Sequence, residues 1–238
     1  MKKLLVIFLC LLIAGGAYSV AKDNDGPYVN ASSTVIKEVN PTYAEINISV
    51  DTKAKTAEEA AQENARISSE VVKRLKEILD SKKGDSIETV NYNLSPQYSY
   101  KDGKSTLTGY TVYNTVKVKT RDIRSVSAVI DESMTAGANG VSGLSFGFDE
   151  EGTMCNELYA KATKNAYSQA QAVAKAIGSE VIGARNINTS CYVEGQTRGA
   201  IRLYKSNMAM DAKAAESTPI EAKSLKIRAT IDGTFNIK

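Results

Sequence analysis

Ala44-Glu45-Ile46-Asn47-Ile48-Ser49-Val50-Asp51, followed closely by Thr56-Ala57-Glu58-Glu59, is the stretch that decides the fold. In its first part the apolar side chains fall on even positions and the polar ones on odd positions. Successive side chains of a strand point to opposite faces, so this alternation predicts a strand with one buried face. In the second part Thr56 and Glu59 match a capping box: the threonine hydroxyl accepts from a free amide of the first turn and the glutamate reaches back to the cap residue. Apolar residues then recur every three or four positions at Ala60, Ile67, Val71, Leu75 and Ile78, predicting a helix to about Asp80 with one core-facing stripe.

Working outward, Thr34 to Val39 is expected to pair with that strand through a turn at Asn40-Pro41, since proline cannot donate to a ladder. Lys82, Lys83 and Gly84 suit the end of the helix. Two strands, near Ser86 to Tyr98 and Ser105 to Lys119, flank Lys101-Asp102-Gly103-Lys104, whose Asp-Gly is a strong hairpin signal. In the second of these Tyr110, Val112, Val116 and Val118 share a face that Asn114 interrupts. Asp122 caps a shorter helix that carries Val126, Val129, Ile130 and Met134 and stops at Gly137. Val141 to Phe148 reads as a strand. Residues 151 to 177 form a third helix rich in alanine, whose small side chains let its backbone lie close to a neighbour. A strand from Glu180 to Tyr192 follows, then a segment from 194 to 221 without a clear period, expected to be a mobile insert. Leu225, Ile227, Ala229, Ile231, Phe235 and Ile237 close the chain as a strand of strict alternation.

This order implies an α+β fold of largely antiparallel sheets with helices packed on one face. It also suggests two related halves, about 31–148 and 149–238, although no residue-level repeat is present.

At the start of the chain, Lys2 and Lys3 precede the apolar run Leu4 to Ala14, and small residues follow. This reads as a signal peptide over 1–21, with 22–30 as a flexible lead-in. The apolar run is about half the ~20 residues a membrane span needs. No transmembrane segment is expected after cleavage, and the location expected is the periplasm or the extracellular face of the envelope. Loss of Lys2 and Lys3 takes the net charge from +3 to +1 (3 − 2), so charge gives no reason to expect nucleic acid as a partner.

Chemical motifs are few. Gly143-Leu144-Ser145-Phe146-Gly147 has the G-x-S-x-G form, but the chain contains no histidine to take the serine proton. Gly103-Lys104-Ser105 lacks the first glycine of a phosphate loop, and Asp23 to Gly26 lacks the first and last ligands of a calcium loop. Asp149-Glu150-Glu151 reads as favourable charge at a helix N-terminus. The sequence therefore nominates no catalytic residue, no cofactor and no metal ligand.

Five tyrosines, Tyr92, Tyr98, Tyr100, Tyr110 and Tyr113, belong to the predicted hairpin. Cross-strand pairing is the first reading of them. The second is subunit contact, for which Tyr98, Tyr100 and Tyr113 are the candidates. Cys155 and Cys191 remain after leader removal in an oxidising compartment. Helix rise and strand rise bring both to the same level, so they form a candidate disulfide, with two buried thiols as the alternative.

Pro41 and Ala44, then Pro96-Gln97-Tyr98-Ser99-Tyr100, Gly109-Tyr110 with Asn114, Gly137-Ala138-Asn139 and Thr218-Pro219-Ile220, occur in an order that resembles the SIMPL domain family of YggE-like bacterial envelope proteins. Thr42, where an acidic residue is common, and the Asp149 to Asn156 entry to the third helix depart from that pattern. The resemblance implies a periplasmic or envelope protein associated with oxidative stress or immune recognition, some members forming large homo-oligomers. It carries over no catalytic residue. Two functions follow as expectations: a non-enzymatic homo-oligomeric assembly module, or a soluble periplasmic protein that binds a small ligand. Gly109 and Gly137 are expected to adopt backbone angles other residues resist.

Overall fold

Strand β2 (Tyr43–Ala54) buries Ala44, Ile46, Ile48 and Val50 on one face, as the alternation dictates. A computed structural model describes residues 26–194, 203–204 and 218–238. The expected leader and most of the expected insert lie outside the described residues. Helix α1 (Ala57–Ile78) starts at the capping box: Glu59 N donates to Thr56 Oγ1 at 3.2 Å and Thr56 N to Glu59 Oε2 at 3.3 Å. The helix lays Val71 and Leu75, both buried, across the apolar face of the sheet.

That sheet has the strand order β3-β4-β2-β5-β7, with β3 (Ser86–Lys101), β4 (Lys104–Thr120), β5 (Gly140–Gly147) and the short β7 (Leu203–Tyr204). β3 and β4 are joined by a two-residue turn in which Asp102 and Gly103 both have positive φ, 52° and 73°, the form whose twist suits a hairpin. Helix α2 (Val126–Thr135) adds Val126, Val129 and Ile130 to the same core. Asp122 caps the short 3-10 turn at Ile123–Ser125 that leads into α2, not the α-helix itself.

A second sheet runs β1-β8-β6, from β1 (Tyr28–Val39), β8 (Leu225–Ile237) and β6 (Val181–Glu194). Helix α3 (Glu151–Ala176) covers it. Ala162, Ala166, Ala170 and Ala174 recur every fourth residue as a fully buried seam against Ile227, Ile231 and Phe235. The missing side-chain volume is what lets the helix approach the sheet closely.

Two expectations change. β1 does not pair with β2. It runs antiparallel to β8 for its whole length, from Tyr28 opposite Asn236 to Val39 opposite Leu225, because β8 offers an unbroken alternating partner. The three residues 40–42 therefore carry the chain from one sheet to the other, and residues 31–39 of the expected first half belong to the second sheet. β1 also begins at Tyr28, so the lead-in is partly strand.

Candidate functional site

β2 ends at Ala54, opposite Tyr110. Beyond that point Gln97–Lys101 and Lys104–Gly109 pair only with each other, forming a two-stranded ribbon that leaves the sheet. Gly109 sits at its root with φ 156°, where a Cβ would lie 2.5 Å from the Ala54 carbonyl oxygen, so the crossing needs glycine. Gly137 likewise has φ 107°. Tyr98 (62% exposed), Tyr100 (78%) and Leu107 (45%) project from one face of the ribbon. The register separates the third candidate from them. Tyr113 neighbours buried Val112 in sequence and pairs with Asn93 and Asp51, so it lies on the opposite face of the sheet from Tyr98 and Tyr100.

Further along the sheet from the ribbon lies a groove of about 770 Å³ between α1 and β3. It exists because α1 packs chiefly on β2 and β4 and only marginally on β3. Its floor holds a polar chain within an otherwise apolar core. Asn64, fully buried, donates from Nδ2 to the Val50 carbonyl at 2.8 Å. Ser68 Oγ donates to Asn64 Oδ1 at 3.2 Å, and Asn114 Nδ2 donates to Ser68 Oγ at 2.9 Å. Every hydrogen runs one way along this chain, leaving Asn114 Oδ1 buried with no donor among the described residues. The interruption at Asn114 was visible in the sequence; its partner Asn64, a polar residue within the α1 stripe, was not singled out.

A third cluster ties the ends of β2, β4 and β5 to the entry of α3. Asp149 accepts from Arg121 and from Thr42 Oγ1 (2.8 Å), returns a backbone donor to Thr42 Oγ1 (2.9 Å), and has Lys119 Nζ at 3.8 Å. Lys119 also sits 3.9 Å over the Tyr43 ring. Burial raises the Asp149 pKa, but the bonds from Thr42 and Arg121 and the two cationic charges outweigh it and hold the carboxyl below its ordinary value. Asp149 thus serves this clamp, while α3 starts at Glu151 and its N-cap residue, Glu150, makes no side-chain cap bond. The two departures from the resemblance, Thr42 and Asp149, are hydrogen-bonded to each other.

The Gly-Ala-Asn turn also has a physical role. Asn139 accepts from Asp51 N at 2.9 Å and donates to Asp51 O at 2.7 Å, so its amide continues the sheet ladder. Burial pushes the Asp51 carboxyl up, against the lowering charge of Lys53, and Asp51 Oδ1 is buried with no hydrogen-bond partner among the described residues. Thr218 Oγ1 donates to Asp131 on α2 at 2.7 Å, and Ile220 packs on the first core. Cys155 on α3 and Cys191 on β6 are joined as a disulfide with Cα atoms 6.0 Å apart. Ser145 lies within β5, opposite Glu45, and not on a strand-to-helix elbow. Among the described residues no helix is long and apolar enough to cross a membrane, and no group of three or more Cys, Asp or Glu side chains is placed to hold a metal.

Residues 29–235 match the model of the SIMPL family, described as a protein of unknown function (DUF541). The 26 kDa periplasmic immunogenic protein of Brucella melitensis is 28% identical over 207 residues, covering 84% of this chain and 80% of that protein. The uncharacterized protein YggE of Escherichia coli K12 is 28% identical over 172 residues, 72% of this chain and 69% of its own. YggE of Edwardsiella ictaluri is 30% identical over 186 residues, 74% and 75% respectively.

Proposed function

The chain belongs to the SIMPL family, and we propose that it is a non-enzymatic module of the periplasm that assembles with further copies of itself through the projecting ribbon. The ribbon is the observation that carries this reading. A lone two-stranded hairpin is marginal in water, and this one presents Tyr98, Tyr100 and Leu107 to solvent. A second copy suits it as occupant because β3 is also an edge strand of its sheet. Antiparallel pairing of β3 with its symmetry mate across a two-fold axis would satisfy the free edge and cover the tyrosines of both copies. The periplasmic location rests on the expected leader and on the name of the Brucella relative. The lack of histidine leaves only weaker groups for acid and base work, which favours a non-enzymatic role.

Light scattering after size exclusion of residues 22–238, at several concentrations and salt strengths, tests the assembly. A discrete high-mass species that falls to monomer in a Tyr98→Ser/Tyr100→Ser variant supports it; a monomeric parent at every concentration refutes it. The same module is proposed to act in oxidative stress. Equal survival of peroxide by cells with and without the chain would remove that part.

A further inference from the structure

The face of the second sheet turned away from α3 is built from short polar side chains. α3 covers the odd positions of β8, so its even positions point outward. There Thr230, Asp232 and Thr234 stand opposite Thr34, Ser32 and Asn30 of β1 and, on the other side, opposite Ser190, Asn188 and Asn186 of β6. Asp232 is the single charge in this array. The outward face of the first sheet is different in kind, since it carries Glu45, Lys53, Lys117 and Lys119. On the β1 side the array is cross-bonded: Ser32 Oγ donates to Asp232 Oδ1 at 2.7 Å and Thr234 Oγ1 to Asn30 Oδ1 at 2.9 Å. On the β6 side Asn188, directly opposite Asp232, makes no side-chain hydrogen bond among the described residues. A depression of about 220 Å³ lies between them, with Gly233 in its lining. An exposed tyrosine bounds the array at each end, Tyr28 opposite Asn236 and Tyr192 opposite Arg228. Those two β8 positions are eight residues apart, a span of about 27 Å.

We propose that this face binds a linear, neutral oligosaccharide laid along β8, with sugar rings against Tyr28 and Tyr192 and a vicinal diol at Asp232 and Asn188. A carboxylate accepts from hydroxyls and an amide both donates and accepts, which matches the paired hydroxyls of a sugar ring. Short side chains lose little rotamer freedom when a ligand orders them, and tyrosine adds rigid amphipathic contact area. The cations at the ends of the face are engaged within the protein: Arg228 with Glu194, Lys226 with Glu38 at 3.5 Å, and Arg185 with Asn236 Oδ1 at 2.7 Å and the Gly26 carbonyl at 2.8 Å. An anionic chain therefore meets Asp232 and no free counter-charge in the array. The array also lacks the apolar centre that a protein partner would need.

The test titrates cellopentaose into isotope-labelled residues 22–238 and follows amide NMR. Saturable shifts concentrated at Asn188, Thr230, Asp232 and Tyr192 are expected, with an affinity that does not change with salt. Asn188→Ala removes a side chain that bonds to no other, and should weaken binding by roughly threefold to tenfold. Tyr192→Ala should weaken it as well, with both variants folded by circular dichroism. Glucose alone should not saturate the face, and Tyr98→Ser/Tyr100→Ser should bind cellopentaose as the parent does. Absence of saturation at millimolar cellopentaose, shifts scattered over the surface, or parental affinity in an Asn188→Ala/Tyr192→Ala double variant would overturn the proposal without touching the assembly reading.

Discussion

Replacing both bridge cysteines, Cys155→Ala/Cys191→Ala, tests how the second sheet is held. α3 packs chiefly on β8 and β1 and much less on β6, one of the two edge strands of that sheet. The bridge fastens α3 to this thinly covered strand, Cys191 standing beside Ala229 of β8. It spans 36 residues of sequence. In the chain-entropy model, a loop of that length removes about 13 cal/mol/K from the unfolded chain, or about 4 kcal/mol at 25 °C. For a chain of this size that corresponds to a midpoint lowered by roughly 8 to 16 °C. Urea and thermal unfolding followed by circular dichroism should show this loss in the double variant and in the parent after reduction, with β6 amides losing hydrogen-exchange protection before those of β2 and β4. A difference below about 1 kcal/mol, or free thiols in the parent purified without reductant, would refute the reasoning.

Three further substitutions probe the first sheet. Asn64→Ala should cost roughly 2 to 3 kcal/mol in urea unfolding, because it leaves the Val50 carbonyl and Ser68 without their buried partner; a cost below about 0.5 kcal/mol would show that water replaces the amide. Asp149→Asn should cost up to about 1 kcal/mol at pH 7. Since the folded pKa of Asp149 lies below its unfolded value of 3.8, that stability is present above about pH 4 and is lost as pH falls through the folded pKa, so parent and variant should converge in acid. Asp51→Asn has the opposite sign: the folded pKa is raised, so folding stability falls as pH rises through the unfolded and folded values. The substitution should therefore stabilise at pH 7, by up to about 1 kcal/mol once solvent screening of this half-exposed group is allowed for, and give no gain at pH 3; destabilisation at pH 7 would contradict a carboxylate with one buried, unpartnered oxygen among the described residues.

Local pattern was enough to read most elements, because each rests on contacts close in sequence: the Thr56–Glu59 box, the Asp102-Gly103 turn and the four-residue alanine seam of α3. The partner of β1 was not readable that way. A hairpin through Asn40-Pro41 and the observed ladder with β8 both satisfy the alternation, and only the twelve-residue register with a strand some two hundred positions away decides between them. The Asp149 clamp is non-local for the same reason, since Thr42, the Lys119 and Arg121 pair at the end of β4, and Asp149 lie on three segments far apart in sequence. The groove depends on where α1 crosses the sheet, which no local period encodes.

The ribbon is a different case, because its signal is one of length. β3 and β4 have 16 and 17 residues and are joined by the tightest hairpin turn, whereas β2, which must pair with β4, has 12 and is stopped by the α1 cap at Thr56. The six residues Lys104–Gly109 at the turn end of β4 have no partner on β2 and must either bend back over the sheet or project from it. Gly109, where the ribbon crosses within touching distance of Ala54, is the place at which the chain leaves the sheet. The same counting assigns faces. The parity that buries Val112 points Tyr113 to the other side, while Tyr98 and Tyr100 keep the parity of Leu94, the partner of Val112. A contact surface built from the ribbon therefore holds Tyr98, Tyr100 and Leu107 and excludes Tyr113, so a Tyr113→Ser substitution should leave assembly intact where Tyr98→Ser/Tyr100→Ser abolishes it.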